Sequence, residues 1–248
     1  MPDKKQNEKK LTHCEVESAV RAVGSPEKAA VLQGFFKTGK GQYGEGDIFI
    51  GVATPDVRRI SQKFKDLPFA ELQKLIASPI HEERSCALTI LVQRYEKAGG
   101  EGGERKAILN FYLRNTQNIN NWDLVDCSAH KILGRAIYEG LRDEEILDRL
   151  VVSDILWERR IAIIATMYFI HKGQLHHTFR LAERLLADRQ DLMHKAVGWM
   201  LREGWKEDPV AVEAFLKKHY PQIPRTALRY AIEKMEETKR LDFLKGRF

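Results

Sequence analysis

Trp122 and Asp126 are the residues whose types and spacing are best suited to chemistry. They stand four positions apart in the segment "NINNWDLVDCSAHKILG", residues 118–134, which has the pattern of the opening turns of a helix. Side chains four positions apart share one helix face. An indole beside a carboxylate is unusual in a core and unusual on a plain solvated surface. The pair predicts a site that holds a group between an aromatic face and a negative charge.

The elements that must position this pair are helical along the whole chain. Ser25-Pro26 and Thr54-Pro55 have the residue types that begin helices, and helix-period apolar segments follow one another with short turns between them. Only "GDIFIGVAT" resembles a strand, and we interpret it as an extended entry to the next helix. The expected fold class is all-α, with a polar tail over residues 1–12 and a single domain over residues 13–248.

A faint internal repeat runs through these helices. Arg84, Arg160, Lys195 and Arg225 recur at intervals of 76, 35 and 30 residues, and one step of 38 after Arg84 falls on Trp122. Helix pairs at this interval are typical of an α-solenoid of stacked HEAT-like pairs. Basic residues near the start of each inner helix would line a concave face suited to a polyanion. For each residue alone, a surface salt bridge is the simpler interpretation.

The same repeat would bring two further residues, Arg160 and Trp199, close to Trp122 and Asp126. If the helices stack in order, Trp122, Asp126, Arg160 and Trp199 meet on one region of the concave face. Trp199 alone would be interpreted as a core tryptophan, and Asp126 alone as a solvated or capping carboxylate. Four such residues at equivalent positions of successive repeats favour a functional site.

Composition sets the class of protein and its expected surroundings. The chain has 248 residues, 43% hydrophobic and 31% charged, which is enough apolar surface for a core. Its three cysteines are scattered and its N-terminus is polar, so we expect a cytoplasmic protein with no membrane span and no disulfide framework. The net charge of +6 is mild, and it favours nucleic acid only if the basic residues cluster.

Several segments together resemble the DNA alkylation repair glycosylases of the AlkD type, a HEAT-like solenoid family. They cover nearly the whole chain: "DIFIGVATPDVRRIS", "HEERSCALTIL", "NNWDLVD", "LWERRIAII" and "KAVGWMLRE". The resemblance places the family's lesion-side cluster on Trp122, Asp126, Arg160 and Trp199. The glycine-rich "KTGKGQYGEGD" departs from the family pattern, so no contact residue is assigned there.

The resemblance implies excision of positively charged N3- or N7-alkylated purines from double-stranded DNA, without a deep base-flipping pocket. The cationic base leaves as a neutral molecule, so the site must stabilise an oxocarbenium-like sugar. Asp126 would do this by its charge, with Trp122 and Trp199 as flanking aromatic faces. We expect DNA contacts from a set of basic residues, with Arg160 binding a phosphate: Arg160, Lys195, Arg202, Arg84 and Arg225.

Other chemistries have weaker support in the sequence. His176 and His177 are adjacent, which is poor geometry for one metal ion on a helix. "GKGQYGEG" lacks the ending of a phosphate-binding loop. We therefore expect no metal, no cofactor and a monomer. The alternative that stays open is a non-catalytic solenoid that binds damaged or branched DNA, or a protein partner.

Overall fold

A computed structural model describes residues 11–99 and 103–248, and the described residues form helices with mostly short connections, the longest described one being residues 36–53. This confirms the all-α fold class. The chain divides into two compact units, residues 1–97 and 98–248. Most of the predicted polar tail lies outside the described residues, and the single domain over 13–248 stays a prediction. None of the helices in the described ranges is long and apolar enough to cross a membrane.

The described part of the first unit, residues 11–97, contains five helices: α1 (His13–Arg21), α2 (Pro26–Phe35), α3 (Thr54–Lys63), α4 (Phe69–Ile76) and α5 (His81–Lys97). The long helix α5 packs against α1, α3 and α4. The segment that resembles a strand is extended and makes one isolated bridge, between Ile48 and Ile80. The Glu82 carboxylate accepts hydrogen bonds from the backbone amides of Ile50, Gly51 and Val52, which fastens this segment to α5.

The second unit contains the helices that carry the candidate site. They are α6 (Gly103–Arg114), α7 (Trp122–Ala129), α8 (Arg135–Tyr138), α9 (Glu145–Val151), α10 (Leu156–Ala165), α11 (Met167–Ile170), α12 (His176–Leu185), α13 (Asp191–Glu207), α14 (Pro209–His219), α15 (Arg225–Ala231) and α16 (Glu237–Lys245). A π-helical turn (His130–Gly134) joins α7 to α8. Helix α7 packs on α10, α10 on α13 and α13 on α15, so these four helices stack in chain order.

Two glycines allow close approach within this stack. A Cβ atom at Gly134 would lie 2.1 Å from the carbonyl oxygen of Ala165, and one at Gly198 would lie 2.4 Å from that of Ala227. Real Cβ atoms do not come so close to backbone oxygen, so the glycines let neighbouring helices meet backbone to backbone. The order of the helices in the stack is the order that the repeat predicts.

A hydrogen-bonded turn fixes the start of α5 in the first unit. The backbone N–H of Ile80 donates to the Ser78 hydroxyl at 3.0 Å, and that hydroxyl donates to Glu83 at 2.5 Å. The Arg84 guanidinium donates to the Ser78 carbonyl at 2.9 Å. The turn thereby gives partners to backbone groups that precede the helix.

The same turn precedes α10 in the second unit, and it corrects the predicted register. Ile155 N–H donates to the Ser153 hydroxyl at 3.1 Å, and Ser153 donates to Glu158 at 2.6 Å. The residue that donates to the Ser153 carbonyl, at 2.8 Å, is Arg159. The structural equivalent of Arg84 is therefore Arg159, and the prediction that paired Arg84 with Arg160 is wrong by one position.

A third turn of this kind precedes α13. Gln190 N–H donates to the Asp188 carboxylate at 2.9 Å, and the His194 ring lies 2.6 Å from the Asp188 carbonyl. His194 thus occupies the place of Arg159, and the next residue, Lys195, occupies the place of Arg160. The predicted step of 35 residues from Arg160 to Lys195 matches the structure.

Candidate active site

The first turn of α7 presents Trp122 and Asp126 on one face. The Asn121 side chain, which is fully buried, accepts the backbone N–H of Trp122 at 2.9 Å and caps the helix. Trp122 is the first helical residue and Asp126 the fifth, and both side chains are half-buried. The predicted spacing therefore places indole and carboxylate one helical turn apart.

Asp126 forms a two-point ion pair with Arg160 of the next stacked helix. Arg160 Nε donates to Oδ1 of Asp126 at 2.9 Å and Nη2 donates to Oδ2 at 2.8 Å. Nη1 of the same guanidinium donates to the carbonyl of Leu192 at 2.7 Å. One side chain thus joins α7, α10 and α13. Parallel bonds of this kind fix orientation as well as charge.

The Asp126 carboxylate is held in an environment with opposing electrostatic influences. Burial raises the pKa of the Asp126 carboxyl above its ordinary value, and the charge and hydrogen bonds of Arg160 oppose this rise without cancelling it. Both carboxylate oxygens accept from the guanidinium, which is the geometry of an ionised acid. The Asp126 side chain keeps 16% of its surface exposed, against 5% for Arg160. Asp126 is therefore the more exposed member of the pair and Arg160 the more buried one.

This arrangement does not match the predicted phosphate contact by Arg160. All three nitrogens of its guanidinium donate to protein atoms, and the residue is 4% exposed. Arg84 differs from the prediction for the same reason, because it is 3% exposed and its guanidinium bonds Asp47 and the Ser78 carbonyl. Both arginines act inside their own units, as partners of aspartates.

Helix α13 carries three further predicted residues. Lys195 pairs with Asp191 at 2.9 Å and its side chain is 39% exposed. Trp199 is half-buried, and its indole N–H donates to Glu203 at 3.1 Å. Arg202 pairs with Glu203 and with Glu233 and is 19% exposed at the side chain. Trp199 lies one turn after Lys195, but convergence of both tryptophans on Asp126 stays a prediction.

Arg225 begins α15 and is exposed, with one guanidinium nitrogen donating to the Leu244 carbonyl at 3.0 Å. Asp126, Arg160 and Lys195 are each the fifth residue of their helix, whereas Arg225 is the first. The fifth residue of α15 is Arg229, which is also exposed. By its position within the helix, Arg229 and not Arg225 is the counterpart of Lys195.

Sequence reasoning missed His130, which lies one turn after Asp126 where the π-helical turn begins. Burial, together with the charges of Lys131 and His171, lowers the pKa of His130 to about 4. The imidazole is therefore neutral at pH 7 and adds no positive charge beside the carboxylate. Its four-residue spacing from Asp126 was the available signal.

Comparison with known proteins identifies the family and supports the fold of the chain. The family model described as DNA alkylation repair enzyme matches residues 16–235. A solved structure described as a predicted DNA alkylation repair enzyme from Enterococcus faecalis is similar in fold, with a TM-score of 0.66 and 20% sequence identity. The similarity covers 86% of this chain and 97% of that one. Among curated proteins, none matches the chain.

Proposed function

The chain belongs to the family of DNA alkylation repair enzymes, and from that premise we propose that it is a DNA glycosylase. Its substrate would be double-stranded DNA that carries purines alkylated at N3 or N7. The reaction is hydrolysis of the N-glycosidic bond, which releases the alkylated base and leaves an abasic sugar.

The observation that carries this proposal is the orientation of the Asp126 carboxylate. An ionised carboxylate has about four lone-pair sites, and Arg160 uses two of them. Because the Asp126 side chain keeps 16% of its surface exposed, we infer that the remaining sites can accept a hydrogen bond from water or lie against a cationic group. Because Arg160 holds both oxygens, the carboxylate does not need to reorganise during the reaction, which is the condition for effective electrostatic stabilisation.

The chemistry follows from the charge of the substrate. A purine alkylated at N3 or N7 is positively charged and leaves as a neutral base, so departure requires no general acid. Positive charge then develops on the sugar, and Asp126 stabilises it and orients the attacking water. The faces of Trp122 and Trp199 would add about 0.5–2 kcal/mol each if they lie against the cation.

Arg160 has a different role in this proposal from the one predicted. It positions Asp126 and offsets the cost of burying the carboxylate, and it does not bind phosphate. Phosphate contacts are assigned instead to side chains that keep exposed surface: Lys195, Arg202 and Arg225, together with Arg229, which has the same position in its helix as Lys195. Such contacts set affinity and register on the duplex without reading sequence.

We propose the following location, oligomeric state and mode of DNA recognition for the enzyme. It works as a cytoplasmic monomer, without a cofactor, as one HEAT-like domain over residues 13–248 with a concave basic face. Recognition occurs from the backbone side without a deep pocket, so selectivity rests on the charge and lability of the lesion. Neutral lesions such as uracil are not substrates.

Base release from methylated DNA tests the proposal. DNA treated with a methylating agent is incubated with the protein, and the free bases are separated by chromatography and identified by mass. We expect 3-methyladenine and 7-methylguanine, and no uracil from uracil-containing DNA. Binding of the methylated DNA without base release would favour the non-catalytic solenoid instead.

A further inference from the structure

The partly exposed side of α13 carries Trp199 and, one turn further along, Glu203. Leu192, Trp199 and Glu203 are separated by seven and four positions, so they lie on the same side of the helix. Each of them is half-buried, whereas most of the residues between them are buried. The carbonyl of Leu192 accepts a hydrogen bond from Arg160, the partner of Asp126. This side of α13 therefore begins at the ion pair of the candidate site.

A hydrogen bond to Glu203 anchors the Trp199 ring. The indole Nε1 of Trp199 donates to Oε1 of Glu203 at 3.1 Å. The indole has a single polar atom, and that atom only donates, so this bond fixes which edge of the ring points toward Glu203. Because the Trp199 side chain is half-buried, neighbouring residues do not enclose it on every side. The bond therefore removes freedom of rotation that the ring would otherwise keep.

Two basic side chains hold Glu203 in turn. Lys206 Nζ donates to Oε2 of Glu203, and Arg202 Nε lies 3.5 Å from Oε1. Arg202 also donates to Glu233, which follows the end of α15. Burial alone would raise the pKa of the Glu203 carboxyl, but the hydrogen bond and charge of Lys206, with the charge of Arg202, lower it below its ordinary value. Glu203 is thus an ionised acceptor that is itself fixed in place.

A second tryptophan and glutamate pair on α13 provides a contrast. Trp205 Nε1 donates to Oε1 of Glu213 at 3.2 Å, and Lys239 donates to the same oxygen at 2.8 Å. Trp205 lies six positions after Trp199, which corresponds to a rotation of about 600° and so to another side of the helix. Its partners belong to α14 and α16, so this pair joins three helices. The bond between Trp199 and Glu203 stays within α13, and it orients the ring without joining helices.

We propose that Glu203 is a positioning residue, which holds the Trp199 indole so that its face is presented to the positively charged lesion nucleotide. This role rests on the glycosylase function proposed above, and it makes Glu203 a determinant of the preference for cationic over neutral bases. The attraction between a cation and an indole requires that the cation lie over the ring face. A ring that is fixed before DNA binds does not have to be ordered on binding, so more of this attraction contributes to affinity.

Two duplexes that resist base loss measure the preference for positive charge. One carries 7-methylguanine on a 2′-fluorinated sugar, and the other carries 7-methyl-7-deazaguanine on the same sugar. The second base has the shape of the first but no positive charge. The ratio of the two binding constants, measured by fluorescence anisotropy, is the charge preference. We expect the unmodified chain to bind the cationic duplex more tightly.

Replacement of Glu203 by methionine or by glutamine separates the hydrogen bond from the charge. Both changes remove the negative charge, but only glutamine keeps an oxygen that accepts the indole N–H. E203M should lower the charge preference by about 2–30-fold, the range that one contact between a cation and an indole face spans. E203Q should retain most of the preference. E213M, the matched control at Trp205, should retain all of it.

A double variant tests whether Glu203 acts through Trp199. W199F keeps an aromatic face but removes the N–H, so it breaks the same hydrogen bond from the other side. In the W199F background, E203M should therefore lower the charge preference no further, whereas two independent structural effects would add. Circular dichroism and urea unfolding identify the variants that are fully folded, and W199F alone should also lower the preference.

The proposal is overturned if folded E203M keeps the charge preference of the unmodified chain, if E213M loses as much, or if the effects of E203M and W199F add. An equal loss in E203Q and E203M would also overturn it, because the charge and not the hydrogen bond would then matter. Base release from methylated DNA by the unmodified chain is measured in parallel. Release together with an unchanged preference in E203M refutes the role of Glu203 alone, whereas no release refutes the glycosylase function on which it rests.

Discussion

Replacement of Asp126 by asparagine should affect both stability and excision, and the two effects can be separated. The asparagine side chain keeps the size of the aspartate but removes the negative charge, and its amide N–H groups face the donors of Arg160. Removing one partner of a buried ion pair costs about 3–5 kcal/mol. Because the Asp126 side chain is 16% exposed, we expect the lower part of that range.

The expected loss of activity is separate from the loss of stability, because it is measured on enzyme that is fully folded. Loss of one preorganised group in other enzymes lowers the rate by about 10²–10³-fold, or about 2.7–4 kcal/mol of transition-state stabilisation. We expect D126N to excise 7-methylguanine at least about 10²-fold more slowly at a temperature where it is fully folded. Single-turnover rates with saturating enzyme measure this effect, and urea unfolding measures the stability separately.

Asp188 provides a matched control for the ion pair. It pairs with Arg159 Nε at 2.7 Å, and the side chains of Arg159 and Asp188 are 16% and 7% exposed. Its pair with α10 is of the same type as that of Asp126, but it has no assigned contact with substrate. D188N should lose stability and excise at the normal rate. The reasoning is refuted if folded D126N excises at the normal rate, or if D188N is slowed equally.

Three further predictions concern binding, pH and the first unit. K195Q should lower the slope of the log of the DNA-binding constant against the log of the salt concentration by about one unit, as measured by fluorescence anisotropy. Replacement of the buried Arg160 by methionine should leave this slope unchanged. Equal slopes for the two variants would contradict the assignment of the phosphate contact to Lys195. The pKa of His130 is about 4 in the folded chain and 6.5 in the unfolded chain. Between these pH values the unfolded chain binds more protons, so the free energy of unfolding falls as the pH decreases. At 1.36 kcal/mol per pKa unit, the loss is about 3 kcal/mol at pH 4. Urea unfolding of H130Q across this range should show a smaller pH dependence, and an unchanged dependence would refute the assignment. E82Q should lose about 2–4 kcal/mol in urea unfolding, because its amide replaces an oxygen that accepts backbone N–H groups; unchanged stability would show that the carboxylate is dispensable.

Local signals in the sequence predicted the helices, and the spacing of the internal repeat predicted their stacking order. Apolar periodicity and caps such as Ser25-Pro26 depend on neighbouring residues, so they can be recognised without the fold. The register of basic residues was less well predicted. Arg84 was aligned with Arg160 by residue type, but the Ser-Ile-Glu-Arg turn aligns it with Arg159. That turn is visible in the sequence as "SPIHEER" and "SDILWER".

The ion pair of Asp126 and Arg160 could not be predicted as a contact. The residues are 34 positions apart, and their meeting depends on how α7 packs on α10. The sequence analysis selected both residues but predicted that Arg160 binds a phosphate. The burial of the Arg160 side chain depends on the tertiary structure, so the sequence did not reveal it.

Binding of a transition-state analogue tests the central claim most directly, namely that an ionised Asp126 faces the positive charge that develops on the sugar. Duplex DNA with a cationic azasugar at one position mimics that charge, and DNA with a neutral tetrahydrofuran abasic site is the matched ligand. We predict that D126N weakens binding of the cationic duplex by about 10²-fold or more and leaves binding of the neutral duplex nearly unchanged. Equal affinities of D126N and the unmodified chain for the cationic duplex, or an equal loss for both duplexes, would contradict the account.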